Sequence, residues 1–127
     1  MKVFDASAAL ALLFNEPGAV KAQKLIEDGD AVISSVNLAE VTARLRERGL
    51  TEAEANTASA SLRLQSLPFT AAQGLASGHL RPSTRALGLS LGDRCCLALA
   101  QSLADAQVVT ADRPWKGLKG FRITLIR

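Results

Sequence analysis

The chain has 127 residues, 48% of them hydrophobic but only 4% aromatic, and carries a formal net charge of +3. That length suits one domain, residues 1–127, with a core of Leu, Val, Ile and Ala, and argues against an aromatic-rich β-sandwich. The only cysteines, Cys95 and Cys96, are adjacent inside an apolar run, which disfavours a disulfide framework and a thiolate zinc site.

Taken in chain order, Lys2–Asp5 (KVFD) reads as a first buried strand. Ser7 can cap a helix over Ala8–Phe14, which Pro17-Gly18 interrupts, and a second helix over Ala19–Glu27 runs into the turn Asp28-Gly29-Asp30. The apolar stretch Ala6–Asn15 is too short to span a bilayer, and Asp5 breaks the start of the chain before a signal sequence can form; a soluble cytoplasmic protein is expected. Ala31–Ser34 is the next strand. A helix from about Val36 to Arg48 follows, with Leu38, Val41 and Leu45 expected on its core face and Gly49 as its stop.

Thr51 with Glu54 is a capping-box pattern opening a helix that should last to about Gln65. Leu67–Phe69 is a brief third strand, and Thr70 with Gln73 repeats the capping pattern before a helix ending near Leu80. Arg81–Leu89 reads as a loop or broken helix. Ser90 caps an apolar helix carrying the stripe Cys96, Leu99, Ala100 and Leu103, and Gln107–Thr110 and Phe121–Ile126 complete a set of five strands. Strands alternating with helices imply an α/β fold with a short, mostly parallel sheet covered on both faces. Such sheets bind ligands beyond the carboxyl ends of their strands, where the strand order reverses.

Four acids fall at such places. Asp5 closes the first strand, and Asp112 lies two residues past the fourth. Asp93 is in the first turn of the Ser90-capped helix, and Glu40 is near the start of the helix after the second strand. Each has a dull explanation: Asp5 can join Ser7 in capping, Asp93 suits a helix N-terminus, Glu40 stands four residues before Arg44, and Asp112 can be a turn residue. Their joint placement at one sheet edge is harder to dismiss. Carboxylates gathered in a partly desolvated pocket repel unless a cation balances them, and Mg²⁺ or Mn²⁺ prefers such oxygen donors.

Composition removes competitors. The single histidine, His79, has no nucleophile signal beside it and reads as an exposed or capping residue. No P-loop or G-x-G-x-x-G motif is present. Residues 113–127 hold Arg113, Lys116, Lys119, Arg122 and Arg127 with no acid, whereas ten basic and twelve acidic residues precede them. Arg113, Lys116 and Lys119, with Arg44 and Arg94, are candidates for phosphate contacts, each weighed against an ordinary solvated charge. Trp115 can stack a base, but a hydrophobic plug at the sheet's end is the preferred reading.

The opening KVFDASAAL, the segment SSVNLAEV with Glu40, the run LSLGDRCCLALA with Asp93, and VVTADRPW with Asp112 resemble PIN-domain nucleases, most of all the VapC-type toxins of bacterial toxin–antitoxin pairs. The likeness spans nearly the whole chain; Thr51–Leu89 carries little that is diagnostic. It implies a three-layer α/β/α fold and a Mg²⁺-dependent endoribonuclease, with Mn²⁺ a plausible substitute. Asp5, Asp93, Asp112 and Glu40 would be metal-binding and catalytic, Ser7 and Thr110 candidate hydroxyls that hold the carboxylates. It further implies an RNA substrate, a homodimer and a small VapB-type antitoxin. Competing readings are a catalytically idle PIN-like protein-binding module and a phosphoacceptor receiver-type domain. The latter wants paired acids after the first strand, where only Asp5 stands, and a lysine after the last, which ends at Arg127.

Overall fold

The computed structural model describes residues 1–127. Five strands, β1 (Lys2–Phe4), β2 (Ala31–Ser34), β3 (Gln65–Leu67), β4 (Gln107–Thr110) and β5 (Arg122–Leu125), form one sheet in the order β3-β2-β1-β4-β5. Every neighbouring pair is parallel, so all five carboxyl ends point one way. The chain adds β2 and β3 outward on one side of β1, then returns to place β4 on the other side. The reversal in strand order therefore lies between β1 and β4.

Alternation along the strands distributes side chains to two faces. Val3, Val32 and Val108 enter one core with Leu97, Leu99 and Ala100 of α7 (Leu91–Ser102) and with Trp115. Their neighbours Phe4, Ala31 and Val109 enter a second with Ala8 and Ala11 of α1 (Ala6–Leu13) and Ala22 and Ile26 of α2 (Ala19–Glu27). Ile33 packs with Val41 and Leu45 of α3 (Ser35–Glu47) and Ala55 of α4 (Glu52–Ser61) in a third. The sheet is thus the middle of three α/β/α layers. Two further short helices, α5 (Ala71–His79) and α6 (Arg81–Thr84), lead through a 3₁₀ turn at Arg85–Leu87 toward α7. No helix is long and apolar enough to cross a membrane.

Three local readings need correction. Helix α1 begins at Ala6, with Asp5 as its cap: Asp5 Oδ1 accepts the Ala8 N–H at 2.8 Å, and the Ser7 hydroxyl turns back onto Asp5 instead of capping. Helix α4 stops at Ser61, short of Gln65, because Arg63 takes a left-handed φ of 58° that ends helical geometry. The residues released, Gln65–Leu67, form β3, two positions before the expected Leu67–Phe69; as a polar edge strand it has no hydrophobic alternation to announce it. The capping boxes Thr51/Glu54 and Ser90/Asp93 form in full, Gly49 ends α3 at φ 94°, and Arg81–Leu87 is a broken helix.

Gly18 carries more constraint than its place in a turn suggests. It has φ 96°, and a Cβ there would stand 2.7 Å from the Ile126 carbonyl oxygen, where the end of the chain crosses the start of α2. Gly49 has a similar φ with open space around it. Gly49→Ala should therefore cost only the left-handed penalty of about 1–2 kcal/mol. Gly18→Ala should cost about 1–3 kcal/mol more, from overpacking against backbone that cannot yield. Urea unfolding of the two variants measures the difference.

Candidate active site

Asp5 sits where β1 ends and α1 begins, directly at the reversal in strand order, and is 2% exposed. Its carboxylate is held from three directions. Oδ1 accepts the Ala8 N–H, and the Ser7 hydroxyl donates to it at 2.8 Å. Oδ2 accepts from the Thr110 hydroxyl at 2.5 Å, across the gap between β1 and β4. The backbone of the β4 turn fixes the direction of these bonds: Ala111 N–H donates to Ser7 Oγ at 2.9 Å and Asp112 N–H to Thr110 Oγ1 at 3.0 Å. Each hydroxyl has its oxygen engaged by an N–H, so its proton points to Asp5.

Even so, burial pushes the Asp5 carboxyl up to about 7. The bonds from Thr110, Ala8 and Ser7 oppose the rise, and the negative charge of Asp112 adds to it. Asp112 is half-buried, and its own carboxyl is raised by burial, then by Asp93, with Arg127 pulling the other way. Asp93 is the third residue of α7, and its Oδ2 closes the capping box by accepting the Ser90 N–H at 2.8 Å.

Glu40 reaches the same region from α3. The residue as a whole is exposed, yet its carboxyl lies against α7: a Cβ on Gly92 would stand 2.0 Å from Glu40 Oε1. That local burial raises its pKa, the hydrogen bond from Asn37 lowers it, and Asp93 raises it again. The acids thus influence one another in series, Asp5 with Asp112, Asp112 with Asp93, Asp93 with Glu40. Beneath them the fully buried Cys96 thiol is pushed well up, first by burial and then by Asp5, Asp93 and Glu40. No three acidic, histidine or cysteine side chains stand close enough together to share one metal ion. The four acids share a rim without closing on one point.

The donor set suits a hard divalent cation in kind, although its members are not placed to enclose one. It offers carboxylate oxygens, and no lysine or arginine is among the groups acting on Asp5 or Glu40. Among the expected basic contacts, Arg113 and Lys116 are exposed on a 3₁₀ turn (Arg113–Gly117) just past Asp112, and Lys119 is exposed soon after. Arg44 is exposed and pairs with Glu47 at 4.0 Å, not with Glu40. Arg94 is instead a tie between helices, its Nη1 donating to the Ser77 carbonyl of α5 at 3.1 Å. Trp115, 2% exposed, is a core plug, and His79 is exposed at the end of α5.

Two residues of the rim escaped the sequence reading. Asn37 is 1% exposed and bridges Glu40 to α7, and Gly92 is the surface on which Glu40 rests. A signal for Asn37 existed. The buried stripe of α3 is Asn37, Val41 and Leu45, with Leu38 only half-buried, so a polar residue occupies a core position at strict four-residue spacing.

A PIN-domain family model matches residues 2–120. The chain belongs to the PIN-domain family. No curated protein matches it by sequence. Solved structures with the same fold include a DNA-bound VapBC from Salmonella typhimurium, at a TM-score of 0.77 and 20% identity, covering 99% of this chain and 98% of that one. A toxin–antitoxin complex from Klebsiella pneumoniae aligns at a TM-score of 0.74 and 19% identity, over 100% of this chain and 98% of that one. A sarcin–ricin-loop-cleaving VapC toxin of Mycobacterium tuberculosis aligns at 0.67 and 18%, over 96% and 99%. This PIN domain shares their fold at identities that carry only the fold.

The raised Asp5 carboxyl has a consequence for the metal-free PIN domain. Between about pH 4 and pH 7 the folded chain keeps a proton that the unfolded chain has released, so this group's contribution falls as pH rises. One such group changes stability by at most about 1.4 kcal/mol per pH unit. In EDTA, urea unfolding should show Asp5→Asn gaining on the parent chain as pH is raised from 5 to 8. A constant difference would mean Asp5 is already ionised when folded.

Proposed function

We propose that the chain is a divalent-metal-dependent endoribonuclease, the toxin of a type II toxin–antitoxin pair, hydrolysing RNA phosphodiesters with Asp5, Glu40, Asp93 and Asp112 as its catalytic and metal-binding carboxylates. The observation that carries this is Asp5: a carboxylate buried at the strand-order reversal, bonded by two oriented hydroxyls, with Asp112 rather than a basic group acting on it. A protein seldom buries such a group without a cation to receive.

Mg²⁺ is the expected ion and Mn²⁺ its substitute; when bound, it supplies a more acidic water and balances charge at the scissile phosphate. Ser7 and Thr110 keep the Asp5 carboxylate aimed into the site. Asp93 keeps one oxygen in its cap and presents the other. Glu40 orients or ligates from its place against α7. Arg113 and Lys116, exposed beside Asp112, supply positive charge for the RNA backbone that the acids would otherwise repel. The expected products carry 5′-phosphate and 3′-hydroxyl ends.

The toxin reading is supported by the neighbours, among them toxin–antitoxin complexes that match across nearly the full length of both chains. A small VapB-type antitoxin is the proposed partner and a homodimer the proposed assembly. Val20, an apolar residue 86% exposed on α2, is the side chain proposed to meet a partner there. A second reading, an idle PIN-like protein-binding module, is favoured by one observation: no three acids are preassembled around a point.

Incubation with mixed cellular RNA separates the two. The parent chain should cleave in Mg²⁺ or Mn²⁺ and stop in EDTA. Asp5→Asn should lose roughly 10²–10³-fold, the scale of removing one electrostatic contact from an active site. Cleavage that survives EDTA or Asp5→Asn contradicts the proposed site; no cleavage by a chain that also binds no Mn²⁺ supports the idle module.

A further inference from the structure

Two residues at the rim are poor choices for the stability of the helices that hold them. Asn37 occupies a core position of α3 and is only partly satisfied there. Its Nδ2 donates to Glu40 Oε2 at 2.8 Å and to the Gly92 carbonyl at 3.0 Å, while its Oδ1 is buried with no partner. Turning the amide over would point Oδ1 at a carboxylate and a carbonyl, so the orientation is dictated by those two acceptors. An aliphatic side chain of similar volume would remove the unpartnered Oδ1, and the two acceptors it releases are not stranded: the Gly92 carbonyl keeps its place in the α7 hydrogen-bond ladder and the exposed Glu40 can turn to water. Gly92 is a glycine inside an α-helix, where alanine is the better helix former.

Both choices make sense for Glu40. Without a Cβ at Gly92, the Glu40 carboxyl can lie on the α7 backbone, where an added carbon would meet Oε1 at 2.0 Å and Cδ at 2.5 Å. The Asn37 amide then fixes the carboxyl there by one oxygen while its other hydrogen is tied to the same stretch of α7. Asp93 is the next residue along α7. One amide therefore ties Glu40, on α3, to the turn of α7 that carries Asp93.

We infer that Asn37 and Gly92 are positioning residues forming a seat that holds the Glu40 carboxylate beside Asp93, and that this seat, not helix stability, explains both residue types. The inference rests on the proposed function, because Glu40 needs a fixed place only if it serves a cation. Local rules are broken where function requires it. Glu40 itself is on the exposed surface of α3, so without the seat its flexible side chain would swing into solvent.

The test uses the full-length chain and Mn²⁺ alone as a calorimetric probe, with urea unfolding as a second readout. Asn37→Leu removes the amide and its unpartnered oxygen; Gly92→Ala puts a methyl where the Glu40 carboxyl lies. Both should unfold at or above the parent's urea midpoint and both should lose roughly 10-fold in Mn²⁺ affinity, the lower end of what an orienting partner of a metal ligand contributes. Because the seat acts through Glu40, Asn37→Leu/Glu40→Gln should bind Mn²⁺ no more weakly than Glu40→Gln alone. Undiminished affinity in the folded variants, or losses that add to that of Glu40→Gln, overturns the seat while leaving the nuclease reading standing. Should Asn37→Leu fail to fold, Gly92→Ala decides by itself, since the atom it displaces is the free end of a side chain. A parent chain that binds no Mn²⁺ overturns the nuclease reading and the seat with it.

Discussion

The organising constraint is a charge problem at the junction of β1 and β4. Parallel sheets bind ligands in a crevice beyond the carboxyl ends of their strands, where the strand order reverses, and the chain places Asp5 at that position almost without solvent. Three donors hold that carboxylate, and burial still outweighs them. Hydroxyls and amide dipoles only partly replace the water that an ionised carboxylate loses. The remaining deficit can be met by a proton or by a cation from solution. The nuclease reading takes the second route.

The rest of the architecture serves this junction. Helix α1 is short and packs through alanines, and Asp5, the single residue between β1 and α1, caps it while standing at the reversal in strand order. The turn after β4 is tied back by Ser7 and Thr110, which gives Asp112 a fixed approach to the same crevice. Helix α7 enters from the other face with Asp93 in its first turn, and α3 contributes Glu40 across Gly92. Four segments far apart in sequence thus present acids to one edge, three of them from caps or turns and Glu40 from within α3. A capping interaction holds Asp5 and Asp93 in place before any ligand arrives.

Much of this was legible in the sequence, and the parts that were not have physical causes. The strands β1, β2 and β4 are apolar and bounded by turn residues, and the helices α3, α4 and α7 carry cap and stop signals, so their order announces a parallel α/β sheet. β3 was displaced because an exposed edge strand such as Gln65–Leu67 needs no hydrophobic pattern. The acids could be picked out one by one from their places after strands and at helix starts. Their mutual geometry could not: the expectation is of carboxylates gathered in one pocket, and no three of them stand close enough to share an ion. Asn37 is hidden in the sequence because Leu38 is the natural member of an apolar stripe, whereas a rotation of one residue puts the amide in the core. Arg94 read as a free charge since nothing in the sequence reveals the Ser77 carbonyl that captures it.

In the proposed site a dication draws these carboxylates together at the crevice. A crystal structure of the full chain soaked in Mn²⁺, read by its anomalous signal, tests it most directly. A manganese peak is expected at ordinary coordination distance from Asp5 and from at least one of Asp93 and Asp112, with Glu40 still on Gly92. An empty crevice at saturating Mn²⁺, or manganese bound only elsewhere on the surface, would contradict it.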